Sequence, residues 1–120
     1  MHNYRELRIW QNAVDLAVKI NRLTKTFPKE ELYGLSSQIR RCSVSISSNI
    51  AEGAFRNSNN EFVHFLGIAN GSAAELDTQL YIAQKSGYVS PAEYGQLRDE
   101  IDHIQKMNFR FMTSLRSKSK

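Results

Sequence analysis

The stretch NNEFVHFLGIANGSAAELDTQLYIAQK at residues 59–85 decides the fold. Its apolar residues Phe62, Leu66, Ala69, Ala73, Leu76, Leu80 and Ala83 alternate steps of four and three, the heptad-like seam of a helix that buries one face. Ser58 and Glu61 stand three residues apart ahead of it, the spacing of a capping box. Ser86-Gly87 follows it, with glycine where a helix C-terminus favours one. The spacing therefore predicts a helix from Asn59 to about Lys85. Gly67 and Gly71 lie inside it, each costing on the order of 1 kcal/mol relative to alanine, which predicts a close backbone approach at those positions.

A helix that is apolar along one seam needs partners, and the flanking sequence supplies three. From about Tyr4 to Thr26, Leu7, Trp10, Val14, Ala17, Val18 and Leu23 recur at helical spacing. Phe27-Pro28 ends that segment, because the proline ring disfavours helical geometry in the residue before it. A second segment spans about Leu35 to Phe55, with Leu35, Ile39, Cys42, Ile46, Ile50 and Gly53 on its apolar side. Residues 43–48, SVSISS, alternate as a strand would, but the three-to-four spacing continues on both sides and favours helix. Ser90-Pro91-Ala92-Glu93 then opens a fourth helix with a cap, a proline in the first turn and an acid at the third position. It continues through Leu97, Ile101, Ile104, Met107, Phe111 and Leu115. Three short connections make neighbours antiparallel, so the expected fold is all-α, an up-down-up-down four-helix bundle over residues 1–116. Residues 117–120 are expected to form a basic, disordered tail.

The chain has 120 residues, enough for one core and too few for two. No run of roughly 18 apolar residues occurs, and the N-terminus carries charges where a signal peptide needs an apolar region, so a cytoplasmic location away from membranes is expected. A lone cysteine, Cys42, excludes an intramolecular disulfide and a cysteine-rich zinc site. The net charge of +4 is unevenly laid out. Residues 1–56 hold nine Lys/Arg against five Asp/Glu, residues 57–109 three against seven, and residues 110–120 four against none. Halves of opposite sign suit self-association or docking on an anionic partner.

Catalytic templates fare poorly. The chain has no phosphate-binding glycine loop, nucleophile elbow or HExxH motif. Glu61-x-x-His64 and Glu100-x-x-His103 match the spacing of di-metal carboxylate bundles, with Glu6 and Glu52 as conceivable bridges. Measured from a turn centred near Tyr88, however, the two histidines sit at levels that differ by roughly 13 Å along the bundle, and His64 faces away from the Phe62/Leu66 seam. No catalytic residue, cofactor or metal is therefore expected.

Helix two carries a second, polar stripe: Gln38, Arg41, Ser45, Asn49 and Glu52. Ser72, Glu75 and Gln79 form a similar row on the third segment. The expected role of Gln38, Ser45, Asn49, Glu52, Ser72, Glu75 and Gln79 is a hydrogen-bond network between helices or subunits, since stranding a buried polar group costs about 1–3 kcal/mol. Direct ligand or nucleic-acid contact is the competing role for this region.

Several motifs here resemble a known family. Phe27-Pro28, Tyr33-Gly34-Leu35, Gln38-Ile39-Arg40-Arg41, Ser45-Ile46, Asn49-Ile50-Ala51-Glu52-Gly53, Ala69-Asn70-Gly71-Ser72 and Glu75-Leu76-x-x-Gln79-Leu80 are similar to the motifs of the 23S rRNA intervening-sequence protein family. The likeness runs from about Tyr4 to Met112. It implies a bacterial four-helix bundle that assembles as a homopentamer. It also implies kinship with the accessory protein of diversity-generating retroelements, which partners a reverse transcriptase and binds nucleic acid through a basic surface. The resulting expectation is a non-enzymatic oligomer that binds RNA or DNA, structured RNA above all, through Arg22, Lys25, Arg40, Arg41, Arg56 and Arg116. The alternative is a scaffold or accessory subunit that docks on a protein partner without reading nucleic acid itself.

Overall fold

In the computed structural model of the chain, which describes residues 1–118, four helices form an elongated bundle of 49 × 23 × 20 Å. A short 3-10 turn at Tyr4–Glu6 leads into α1, Arg8–Thr24; a second at Lys29–Glu31 precedes α2, Leu35–Ala54; α3 is Asn59–Lys85 and α4 is Pro91–Lys118. Each helix packs on the next, and α4 closes the square on α1. The fold is the expected sequential bundle, with α2 against α3 as its most extensive seam and α1 against α4 as its lightest.

The punctuation works through identifiable hydrogen bonds. Ser58 Oγ accepts the Glu61 amide at 3.2 Å at the start of α3. At the start of α4 the box is reciprocal: Ser90 Oγ accepts the Glu93 amide at 3.1 Å, and Glu93 Oε1 accepts the Ser90 amide at 3.3 Å. Gly87 takes a φ of +84°, and the Tyr88 amide returns to the Ala83 carbonyl at 2.9 Å, the closing bond of a Schellman turn.

The α3 seam of Phe62, Leu66, Ala69, Ala73, Leu76, Leu80 and Ala83 is buried as read from the spacing. Two other faces differ from the reading. On α1 the buried residues are Ile9, Ala13, Leu16, Ile20 and Thr24; Trp10 and Leu23 pack at the edge of the core, and Val18 is exposed. The helix is apolar over more than half its girth, and the core takes the stripe roughly 100° round from Leu7/Trp10/Val14. On α4 the core takes Leu97, Ile101, Ile104, Asn108, Met112 and Leu115, leaving Met107 and Phe111 half-buried. A polar residue at 108 disguised the continuing stripe: Asn108 is buried and its amide donates to the Leu66 carbonyl and to Asn70 Oδ1, both at 2.8 Å.

The close approach expected at Gly67 and Gly71 is not there. Gly71 has nothing within 4 Å of where a Cβ would stand, and Gly67 has only the Met112 methyl at 3.9 Å. It occurs instead at Gly53 in the last turn of α2, where a Cβ would lie 2.7 Å from Phe65 Cβ and 2.8 Å from Phe62 Cδ1. Gly53 lets α2 and α3 meet at their connected end. At the other end of the chain, α4 runs two residues into the stretch expected to be a tail, through Ser117 and Lys118, and the rest of that stretch lies outside the described residues.

Candidate nucleic-acid interface

Because α2 runs antiparallel to α1, its first turns lie beside the end of α1, and Arg40 meets Thr24. Arg40 Nε donates to Thr24 Oγ1 at 2.7 Å, while Thr24 Oγ1 donates to the Ile20 carbonyl at 3.0 Å. The threonine hydroxyl thus holds the guanidinium in place and leaves its terminal nitrogens without partners among the described residues. Lys25, at the end of α1, and Lys29, just past Pro28, line the same groove as Arg40. Its volume is about 220 Å³, and Phe27, Pro28 and Leu32 are the apolar part of its lining. Phe27 is anchored from behind by Tyr88, ring centroids 5.5 Å apart, and Tyr88 Oη donates to Glu31 Oε2 at 2.8 Å. Arg22 is exposed one turn back along α1.

The six cations expected to bind nucleic acid do not share one surface. Arg22, Lys25 and Arg40 gather where α1 hands over to α2. Arg41, the neighbour of Arg40, turns to the opposite flank of α2 and lines the groove toward α3. Arg56 lies 16 residues beyond Arg40, roughly 24 Å away along the bundle. Its charge is engaged there, with Glu52 Oε1 at 2.7 Å and the guanidinium over the Phe65 ring at 4.7 Å. Arg116 is exposed near the end of α4, at the same end of the bundle as Arg56. Sequence reasoning missed Lys29 and Tyr33 at the first end. A lysine directly after Phe27-Pro28 and a tyrosine ahead of Gly34 were the available signals, because residues in a helix-to-helix turn face outward.

The polar stripes of α2 and α3 meet across their seam. Gln38, Arg41, Cys42, Ser45, Ser72, Glu75 and Gln79 line one open groove of about 480 Å³. Ser45 Oγ and Ser72 Oγ share a hydrogen bond of 2.9 Å, Asn49 Nδ2 donates to Ser45 Oγ at 2.9 Å and to its carbonyl at 2.8 Å, and Cys42 Sγ donates to the Ser72 carbonyl at 3.0 Å. Burial, with a smaller contribution from the nearby Glu75 carboxylate, pushes the Cys42 thiol up to about 11, so it stays protonated. Glu52 stands apart, paired along its own helix with Arg56. Gln79 Oε1 is buried without a hydrogen-bond partner among the described residues.

Among the described residues no group of three or more His, Cys, Asp or Glu is placed to hold a metal ion. His64 and His103 are both exposed, His64 with its ring edge-on to Phe65 and His103 beside the α1–α4 groove that also includes Asp15 and Glu100. No helix among them is long and apolar enough to cross a membrane.

These features define a sequentially packed four-helix bundle with a basic groove at the α1–α2 end and a hydrogen-bonding groove along α2 and α3. The model of the family described as 23S rRNA-intervening sequence protein matches residues 5–110, so the chain belongs to that family. A protein of unknown function from the S23 ribosomal protein family of Bacteroides thetaiotaomicron has a similar solved structure, with a TM-score of 0.80 and 25% identity, covering 87% of this chain and 97% of that one. A search of curated proteins returned no match.

Proposed function

We propose that this protein acts without catalysis, as an oligomer that binds structured RNA through the basic groove at the α1–α2 end. The observation that carries the reading is the convergence of Lys25, Lys29 and Arg40 on one groove, none of them engaged in an ion pair among the described residues. Unpaired cations held close together gain most from neutralising phosphates, because each contact releases condensed counterions. The family's description, which names an rRNA intervening sequence, favours RNA over DNA. The reading places the protein in the cytoplasm.

A second reading, docking on a protein partner, is favoured by the α2–α3 groove. A buried, unpartnered Gln79 Oε1 next to exposed Gln38, Arg41 and Glu75 is the kind of polar surface that another chain completes. Since Arg40 and Arg41 face different grooves, one experiment separates the readings. Binding to a hairpin RNA is measured at salt from about 50 to 200 mM; neutralising about three phosphates should give a log–log slope of about −2 to −3. Arg40→Glu should weaken binding and lower the slope by about 1, while Arg41→Glu should leave both nearly unchanged. Absence of binding at about 50 mM salt would sink the RNA reading, and an effect confined to Arg41→Glu would move the site to the α2–α3 groove.

A further inference from the structure

The basic groove is more than a cluster of charges. Its lining includes Ser36, whose side chain belongs to a residue only 2% exposed yet has no hydrogen-bond partner among the described residues. Thr24, the other buried hydroxyl of the groove, is fully engaged by Arg40 and the Ile20 carbonyl. The hydroxyl lines the groove without a protein partner among the described residues, so a ligand group can take the place of water there. Around it lie the ring of Pro28 and the half-exposed side chain of Leu32. Tyr33, next in the chain, is 94% exposed, which leaves a large aromatic ring in solvent with no packing role inside the bundle.

Size narrows the ligand. Pockets that enclose a whole drug-sized molecule run to roughly 300–1,000 Å³, whereas this open groove holds about 220 Å³ and so takes one part of a larger molecule rather than enclosing it. A duplex presents its phosphates outward and keeps its bases stacked, so it could use the three cations but neither the apolar lining nor Ser36. An unpaired nucleotide uses all of them. We infer that the α1–α2 groove takes a single unpaired nucleotide of an RNA strand, its base against Pro28 and Leu32 within reach of the Ser36 hydroxyl, its flanking phosphates on Lys25, Lys29 and Arg40, and a neighbouring base stacked on Tyr33. This assignment rests on the reading of the groove as a nucleic-acid site and names the form of RNA that it recognises.

The test uses the full chain and two probes of the same sequence at about 50 mM salt, where phosphate contacts are strongest. One is a single-stranded RNA carrying a fluorescent purine analogue, and the other is that strand annealed to its complement. The single strand should bind at least about tenfold more tightly and change the analogue's fluorescence as its base leaves the strand's own stack. Tyr33→Ala, at a position with no role in the core, should cost the single strand about tenfold and leave duplex affinity unchanged, in line with the usual worth of one stacked base. Ser36→Ala should narrow the preference for the single strand further. Equal affinity for both probes, unmoved by Tyr33→Ala, would overturn the inference while leaving RNA binding itself intact. Competition by a free nucleoside monophosphate as effective as by the strand would overturn the assignment to a strand. If neither probe binds, the nucleic-acid reading fails as well.

Discussion

Gly53 and Gly71 are the same residue type inside neighbouring helices, and their surroundings give them opposite values. At Gly53 a methyl group would press into Phe65 and Phe62 of α3 at 2.7 and 2.8 Å, so backbone or ring must give way. Overpacking of this kind costs typically 1–3 kcal/mol, and Gly53→Ala is expected to lower stability by about 2 kcal/mol in urea denaturation. At Gly71 the space is open, and alanine should add roughly 0.5–1 kcal/mol through helix propensity and a less flexible unfolded chain. A loss of stability or a smaller particle from Gly71→Ala would instead show that another copy packs against that face. Both glycines stand out in the sequence as helix-interior costs. Which of them is repaid depends on the aromatic pair that α3 happens to place opposite, and no local pattern carries that information.

At the level of elements, polar contacts stitch helix pairs that the hydrophobic seam alone would leave free to slide. Tyr94 of α4 donates to Asp77 Oδ1 of α3 at 2.6 Å, and Arg98 Nε approaches the other oxygen of Asp77 at 3.9 Å. Burial first, and then the bond to Asp77, push the Tyr94 phenol up from its ordinary 10.0 to about 12. A folded-state value above the unfolded one means that the linked stability is fully present below pH 10 and lost as pH rises through about 12. Asp77→Asn should bring the phenol down, so ultraviolet titration of tyrosinate would show a late-ionising tyrosine shifting earlier. An unchanged titration would detach the shift from the α3–α4 contact. Asn108 illustrates the same point from the other side. Its bonds to the Leu66 carbonyl and Asn70 register α4 on α3, although its own Oδ1 finds no partner among the described residues. Helix existence was readable from periodicity for all four elements, and both ends of α3 were readable from caps. The buried faces of α1 and α4 were not, because an apolar band wider than the core and a polar core residue each obscure the stripe that packing selects.

For the whole molecule, charge and exposed apolar surface set the expectations. The contrast between a basic first half and an acidic stretch at 57–109 becomes, in space, a basic groove at one end of an elongated bundle. The cations near the other end include Arg56, already engaged by Glu52 and Phe65. Val44 of α2, Ile68 and Ile82 of α3 and Phe109 of α4 are large apolar side chains exposed on the outer surface. They are where contacts of the proposed oligomer would fall. Light scattering of the purified protein should give a mass several times the 13.8 kDa of one chain, and replacing Val44 and Ile68 by Asp should reduce it. A monomeric mass for the unaltered chain would refute the oligomer, and with it any gain in RNA affinity from repeated grooves.

Four antiparallel helices in one bundle follow from the residue pattern alone, since apolar spacing, proline and glycine stops and serine caps are local signals that agree with one another. The same pattern places polar rows on α2 and α3, because a helix brings residues three and four apart onto one face whatever its neighbours are. Which face each helix buries, which glycine allows a close crossing, and the placement of Arg40 and Arg41, adjacent in the chain, on two different grooves come from the packing of the helices. Successive residues diverge by roughly 100° around a helix, and what each then meets depends on the neighbour packed on that side. The groove formed by Lys25, Lys29, Ser36 and Arg40 exists only because α2 folds back beside the end of α1 and brings together three cations that have no ion-pair partner among the described residues.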